Sequence, residues 1–533
     1  MQADFRNDYG AVADYIDIAL IDDPENPGLL QNGLVAHTAL GEVDIAAQLG
    51  ERLLEKVPEH QLALAVLLAD HIAEEDYDAA GALIEDRERS LNPLLRGLLA
   101  GWIAVGEEDY AAAQETFDAL DGNDALAAYG RFHKALALAL AGDFVAAEGI
   151  LAGDGGEPLH LNAGAIAAHA QVLVQLGRQD EALAIIEDAQ EGGVPNALID
   201  DLAERLGAGE EVGFTRIANA RAGAAEAYLT LADALDSPEG ERIALIHAQL
   251  AVHIDPDSAE ARLVVAELLE RQEQYALASE VLSLVPPESP WSVTSEVRRA
   301  NTQQAAGDAE AGIATLLALR DAHPDRIEVH AALGDAYRTE ERFEESSNAY
   351  DGAIDLIDEP QRAHWVLFYT RGIARERSDQ WDGAEADFRT ALELEPDQPL
   401  VLNYLGYSMV EQRRNLDEAL DMIERAVAAQ PDDGYITDSL GWVLYRLGRY
   451  PEALPHMLRA VELTPDDPII NDHLGDVLWK VGRKREAEFQ WRRALSFGPA
   501  DDLEMERIRS KLDIGLDSVL EQEAAAEAAL TDG

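Results

Sequence analysis

Cysteine is absent from the 533 residues, which removes disulfides, thiolate metal sites, a cysteine nucleophile and a lipid-bearing cysteine from the chain as written. Basic residues are scarce: 41 Lys and Arg stand against 103 Asp and Glu, a formal net charge of −62. Such a surface repels DNA, RNA and anionic lipid, so no nucleic acid and no direct membrane insertion are expected. Long apolar runs are missing too. None approaches the roughly 18 residues of a transmembrane helix, and the opening residues Met-Gln-Ala-Asp-Phe-Arg-Asn-Asp-Tyr hold no apolar core of an export signal, so the chain reads as soluble. There is no Gly-rich phosphate loop, no G-x-S-x-G elbow and no H-E-x-x-H helix. The 13 His are scattered, and His456 and His473 read as surface or packing residues. Acidic pairs such as Glu74 and Glu75 are what chance supplies at this composition. No enzyme, cofactor or metal site is expected.

What the sequence does have is a period. In the stretch Gly434 to Pro465, Leu440 and Gly441 are followed by Gly448, Tyr450, Ala453, Met457, Ala460 and Pro465. Apolar or small residues thus recur at helical spacing in two runs separated by a Gly-containing turn, which predicts two short antiparallel helices. Gly441 and Ala453 let the helices approach, Leu440 and the Met457 to Ala460 face fill the seam, and Pro465 stops the second helix. Leu474, Gly475, Gly482, Ala487, Trp491, Ala494 and Pro499 repeat the pattern 34 residues on. Leu405, Gly406, Ala419, Ala426 and Pro431 precede it with one extra residue in the turn.

The period extends over the chain. Ala46, Ala80, Ala113, Ala147 and Ala182 mark second helices in residues 1–190, and Tyr77, Tyr110 and Phe144 precede three of them by three residues. Tyr9, Ala19 and Pro24 fit a second helix whose first helix would begin before Met1, so an upstream extension, with an export signal in it, is expected. Register is lost over 191–221, where Gly192, Gly193 and Pro195 break a helix and a short helix fits 196–206; a joint between two segments and a plain insertion both fit. Hairpins resume with Ala224–Ala234 and Arg242–Ile254 and continue through 222–501. A capping helix is expected within 502–533, followed by a tail that frays.

This pattern resembles the tetratricopeptide repeat. The resemblance implies an all-α, right-handed superhelical solenoid of about thirteen helix hairpins that binds protein or peptide on its concave face, as a monomer. On that face the first helices would present Asn403 and Tyr407, then Tyr435, Asp438, Trp442 and Tyr445, then Asp472, Asp476 and Trp479. The aromatics offer rigid contact area, and Asn403, Asp438 and Asp472 could bond an extended peptide; packing between neighbouring helices is the alternative use of these residues. Arg446, Arg449, Lys480, Arg483, Lys484, Arg485, Arg492 and Arg493 form a basic cluster that would dock an acidic partner or pair internally. In the family's carboxylate clamps Lys, Arg and Asn line the inner helix. Asp438, Asp472 and Asp476 stand there instead, which argues against a chaperone-tail ligand.

Residues 400 to 500 also look like the C-terminal half of long bacterial repeat proteins, among them the lipoprotein adaptor of a carboxyl-terminal processing protease. That resemblance implies a non-catalytic adaptor in the periplasm or cell envelope with such a protease as partner. A cytoplasmic scaffold and a subunit of an enzyme complex are the alternatives.

Overall fold

The computed structural model describes residues 8–153, 158–191, 196–235, 237, 240–498 and 502–531. The segment before Asp8, the helix breakers Gly192, Gly193 and Pro195, and Pro499 lie outside them. Among the described residues there are thirty α-helices and no β-strand, and no helix is long and apolar enough to cross a membrane. Helices pair in sequence into thirteen hairpins, from Pro27–Ala39 with Val43–Lys56 to Pro468–Lys480 with Lys484–Phe497. Tyr9–Asp22 precedes the first hairpin, and Ala197–Gly207 stands alone between hairpins.

Local chemistry explains the hairpin. Most turns hold one residue in the left-handed region two positions before the second helix begins. Glycine serves at Gly448 and Gly482, with φ of 75° and 84°, where a Cβ would be strained. In the hairpin with one extra turn residue, both Arg413 and Asn415 are left-handed. The second helices open on Tyr77, Tyr110, Phe144 and Tyr450. Asp76, Asp109 and Asp143 cap three of them by accepting from the N–H of Ala79, Ala112 and Ala146.

Six of the seams are built from a glycine and a large side chain sixteen residues later. A Cβ on Gly334 would sit 2.6 Å from Tyr350, on Gly372 2.6 Å from Phe388 and on Gly441 2.8 Å from Met457. Gly33 with Leu49 and Gly101 with Phe117 follow the same rule in the N-terminal hairpins, although those lack the Leu-Gly pair. The large partner is buried in every case, and so are Leu440, Leu474 and Trp491. Interiors this dense leave no room for a methyl group.

The chain falls into two compact units, Met1–His323 and Pro324–Gly533. In the first, hairpin Ala220–Ala234 and Glu241–Ile254 folds back onto the first helices of earlier hairpins: Pro27–Ala39, Gln61–Ala73, Pro93–Gly106 and Asp124–Leu140. Tyr228 Oη donates to the Ala65 carbonyl at 2.6 Å, and Gln249 Nε2 to that of Ala39 at 2.9 Å. Gly223 lies too close to the Trp102 ring for any Cβ. Trp102 Nε1 donates to His133 Nδ1 at 2.8 Å, and His133 Nε2 meets Thr230 Oγ1 at 3.0 Å. Burial holds His133 neutral, its pKa lowered to about 3. The returning segment is fixed by Gln171 Oε1, which accepts from the N–H of Thr215 and Arg216. These helices therefore do more than extend the row. The inner face of the first unit is filled by its own chain.

In the second unit hairpins stack in sequence, and Asp502–Ile514 covers the end of the last one. Leu516 and Val519 of the final helix Leu516–Thr531 are buried, whereas residues 521–526 are exposed.

The seam rule gives a stability test. Gly372→Ala gains helix propensity of about 1 kcal/mol but forces a methyl onto Phe388, which is fully buried. A net loss of ~1–2 kcal/mol is expected in urea denaturation. Gly10→Ala, with nothing within 4 Å of the new Cβ, should leave stability unchanged or raise it. Equal effects of the two substitutions would contradict the seam account.

Candidate functional site

The first helices Trp365–Arg377, Pro399–Glu411, Gly434–Arg446 and Pro468–Lys480 line the inner face of the second unit. Two adjoining cavities open there. One, of about 370 Å³, takes in Asn403, Tyr407, Tyr435 and Asp438 together with Glu376, Arg377 and Asp467. The other, of about 420 Å³, takes in Tyr407, Trp442, Arg446 and Asp472, and Glu504, Arg507 and Glu523 of the last two helices also border it. Tyr407, Glu411, Ile469 and His473 are common to both. Tyr445, Asp476 and Trp479 line neither cavity.

The side chains expected to form a groove thus divide in two. Tyr435 is exposed, and Asn403 and Tyr407 are half-buried. Trp442 and Tyr445 are buried and stacked, ring centroids 4.7 Å apart, and His473 stacks on Trp442 at 3.9 Å. Trp442 Nε1 donates to Glu411 of the preceding hairpin at 2.7 Å, so this tryptophan ties three successive inner helices together. Trp479 acts in the same way, donating to Asp517 at 2.9 Å.

The aspartates are bridges as well. Asp438 Oδ2 accepts from His473 Nδ1 at 2.8 Å. One hairpin on, Lys511 Nζ lies 2.6 Å from Asp472 Oδ2 and 2.7 Å from Asp476 Oδ1, and the lysine is buried. Trp491 Nε1 also donates to Asp476 at 3.0 Å. Burial raises the Asp476 pKa against the pull of Lys511. Three carboxamide or carboxylate oxygens at these positions, Asn403 Oδ1, Asp438 Oδ1 and Asp472 Oδ1, are buried without a hydrogen-bond partner, a state that costs free energy until a donor arrives.

The basic cluster is internally engaged. Arg449 pairs with Glu452, Arg483 with Glu486 and Arg492 with Glu488; Arg446 reaches Glu411 and Lys480 reaches Asp517. Arg493 donates to the Pro465 carbonyl, and Lys484 lies over the Trp479 ring at 4.3 Å. Arg485 is exposed. Sequence reasoning missed Glu376, Glu411, Arg507 and Lys511. Glu411 follows Tyr407 by one helical turn, which would have put it on the same face. Lys511 had no such signal, because the contact depends on how the capping helix docks.

The Asp438–His473 pair carries a pH dependence. Burial pulls the His473 pKa down, but the carboxylates of Asp438, Asp472 and Asp476, Asp438 foremost, together outweigh it and hold the value above the ordinary 6.5. Since the folded-state pKa is raised, the pair's contribution is full below pH about 6.5 and is lost as pH rises through the folded-state value. Asp438→Asn should cost ~1.5–3 kcal/mol below that pH and less above it. Imidazole resonances should show His473 titrating above 6.5 in wild type and lower in the variant. A titration unmoved by the substitution would contradict the pairing.

The tetratricopeptide repeat family model matches residues 369–433 and 410–468, the stretch that supplies most of the cavity beside Asn403 and Tyr435. A TPR repeat-containing protein of Pseudomonas aeruginosa is 27% identical over 190 residues, 36% of this chain and 31% of the relative's length. Among solved structures, a tetratricopeptide repeat protein from Parabacteroides merdae aligns at 17% identity and TM-score 0.39 over 48% of this chain and 98% of its own. The Cut9–Hcn1 hetero-tetramer of the APC/C aligns at 15% identity and TM-score 0.39 over 85% of this chain and 96% of its own. The 34-residue hairpin thus repeats in sequence and structure, and residues 369–468 are similar to the tetratricopeptide repeat.

Proposed function

We propose that the protein is a non-catalytic scaffold whose second unit holds an extended segment of a partner protein along the inner helices 399–411, 434–446 and 468–480. Tetratricopeptide-repeat proteins generally serve as protein-interaction scaffolds, and the inner face is where a repeat array offers a continuous concave surface. One observation carries the choice of unit. In the first unit hairpin 220–254 covers the first helices 27–39, 61–73, 93–106 and 124–140, whereas in the second unit two adjoining cavities that share Tyr407 open along successive first helices. An aromatic side chain shared by two cavities that both carry polar groups gives a segment a rigid apolar surface with hydrogen-bonding sites on either side.

Tyr407 is therefore the residue to remove. Against a peptide selected by the full-length chain from a randomised library, Tyr407→Ala should weaken binding by ~1–4 kcal/mol with little change in unfolding. Leu440→Ala, on the buried seam, should lower stability by ~2–5 kcal/mol and leave the affinity of the folded protein intact. Equal affinities for wild type and Tyr407→Ala would remove the groove.

A further inference from the structure

We propose that the cavity between Tyr407 and Tyr435 is a subsite for a lysine or arginine side chain of the bound segment, which makes the scaffold selective for a basic position in an extended peptide. The inference rests on the groove described above and adds the chemistry it selects.

The polar atoms facing that cavity are mostly acceptors. Glu376, Glu411, Asp438 and Asp467 supply four carboxylates to its lining, against Arg377 and His473. Both cations are already engaged: His473 is bonded to Asp438 Oδ2, and the Arg377 guanidinium lies over the Phe343 ring at 4.8 Å. Asn403 Oδ1 and Asp438 Oδ1 have no donor, and Asp438 is 5% exposed. Carboxylate and carboxamide oxygens accept and cannot donate, so the missing partner must bring donor groups, and the four carboxylates favour a cationic donor. The aromatic walls favour an amphipathic side chain with an apolar stem and a cationic head.

The chain shows the same recognition within itself. Asp472 occupies the place of Asp438 one repeat later, 34 residues on. There Lys511, delivered by the capping helix, puts its ammonium on Asp472 and Asp476 and is fully buried. At the Asp438 position the imidazole of His473 takes one carboxylate oxygen and leaves Oδ1 open, as Lys511 leaves Oδ1 of Asp472, but no ammonium or guanidinium is bonded there. What Lys511 does for the last hairpin, a basic side chain of the partner does for the cavity beside Asp438.

The test uses the full-length chain and a positional-scanning library of acetylated, amidated peptides, with one position at a time fixed as Lys, Arg, Gln, Glu or Leu. At one position Lys or Arg should bind at least about tenfold tighter than Gln, and added salt should narrow the gap. In Glu376→Gln, and in Asp438→Asn if circular dichroism shows it folded, that preference should shrink while the remaining affinity persists. Binding without preference for Lys or Arg over Gln, or a preference unchanged in Glu376→Gln, would overturn the subsite and leave the groove standing. Absence of binding by every pool would overturn the groove itself, and the subsite with it.

Discussion

A glycine in the first helix of a hairpin, receiving a large side chain of the second helix sixteen residues later, is the contact on which the close helix pairing of six hairpins depends. Gly334 with Tyr350, Gly372 with Phe388 and Gly441 with Met457 set how closely the two helices lie. The close approach commits the opposite side of each first helix to the neighbouring hairpins and to the inner face. Because the left-handed turn residue fixes the offset between the helices, the same sequence position faces inward in every copy. Asn403, Asp438 and Asp472 line up for that reason, and so do Tyr407 and Trp442.

The two units use their inner faces differently. In the first unit the face of helices 27–140 is apolar and covered. Ala220–Ala234 is rich in alanine, so its backbone can approach Trp102 and the helices beside it, and His133, brought inside there, is paired by Trp102 and Thr230. In the second unit the face is polar and aromatic. It is bridged from helix to helix by Trp442 with Glu411, Asp438 with His473, and Asp472 with Lys511. The Asp438 and Asp472 bridges each use one carboxylate oxygen and leave the other unpaired. A surface held rigid by such bridges, yet still lacking donors, is suited to a ligand that supplies them.

The hairpins were legible in the sequence because the contacts that define them are local. Ala46, Ala80, Ala113, Ala147 and Ala182 are buried in second helices, and the extra turn residue before Leu416 appears as a second left-handed residue. The Gly33 and Gly101 seams escaped notice, since no leucine precedes either glycine, although the spacing to Leu49 and Phe117 was there to be counted. The return of 220–254 could not be read, because contacts such as Tyr228 with Ala65 join residues 163 apart. At the candidate site, helical spacing was enough to put Tyr407, Tyr435 and Asp438 on one face. It could not separate Tyr407, which lines both cavities, from Tyr445 and Trp479, which line neither. That difference lies in their partners, Trp442 and Tyr450 for Tyr445 and Asp517 of the final helix for Trp479.

The claim that ligands enter on the inner face of the second unit is tested most directly by hydrogen exchange on the full-length chain, with and without a saturating selected peptide. The account predicts added protection in 399–411, 434–446 and 468–480, the first helices around Tyr407, with the first unit unchanged. Added protection confined to the second helices 416–429, 450–463 and 484–497, or to any helix before Pro324, would contradict it.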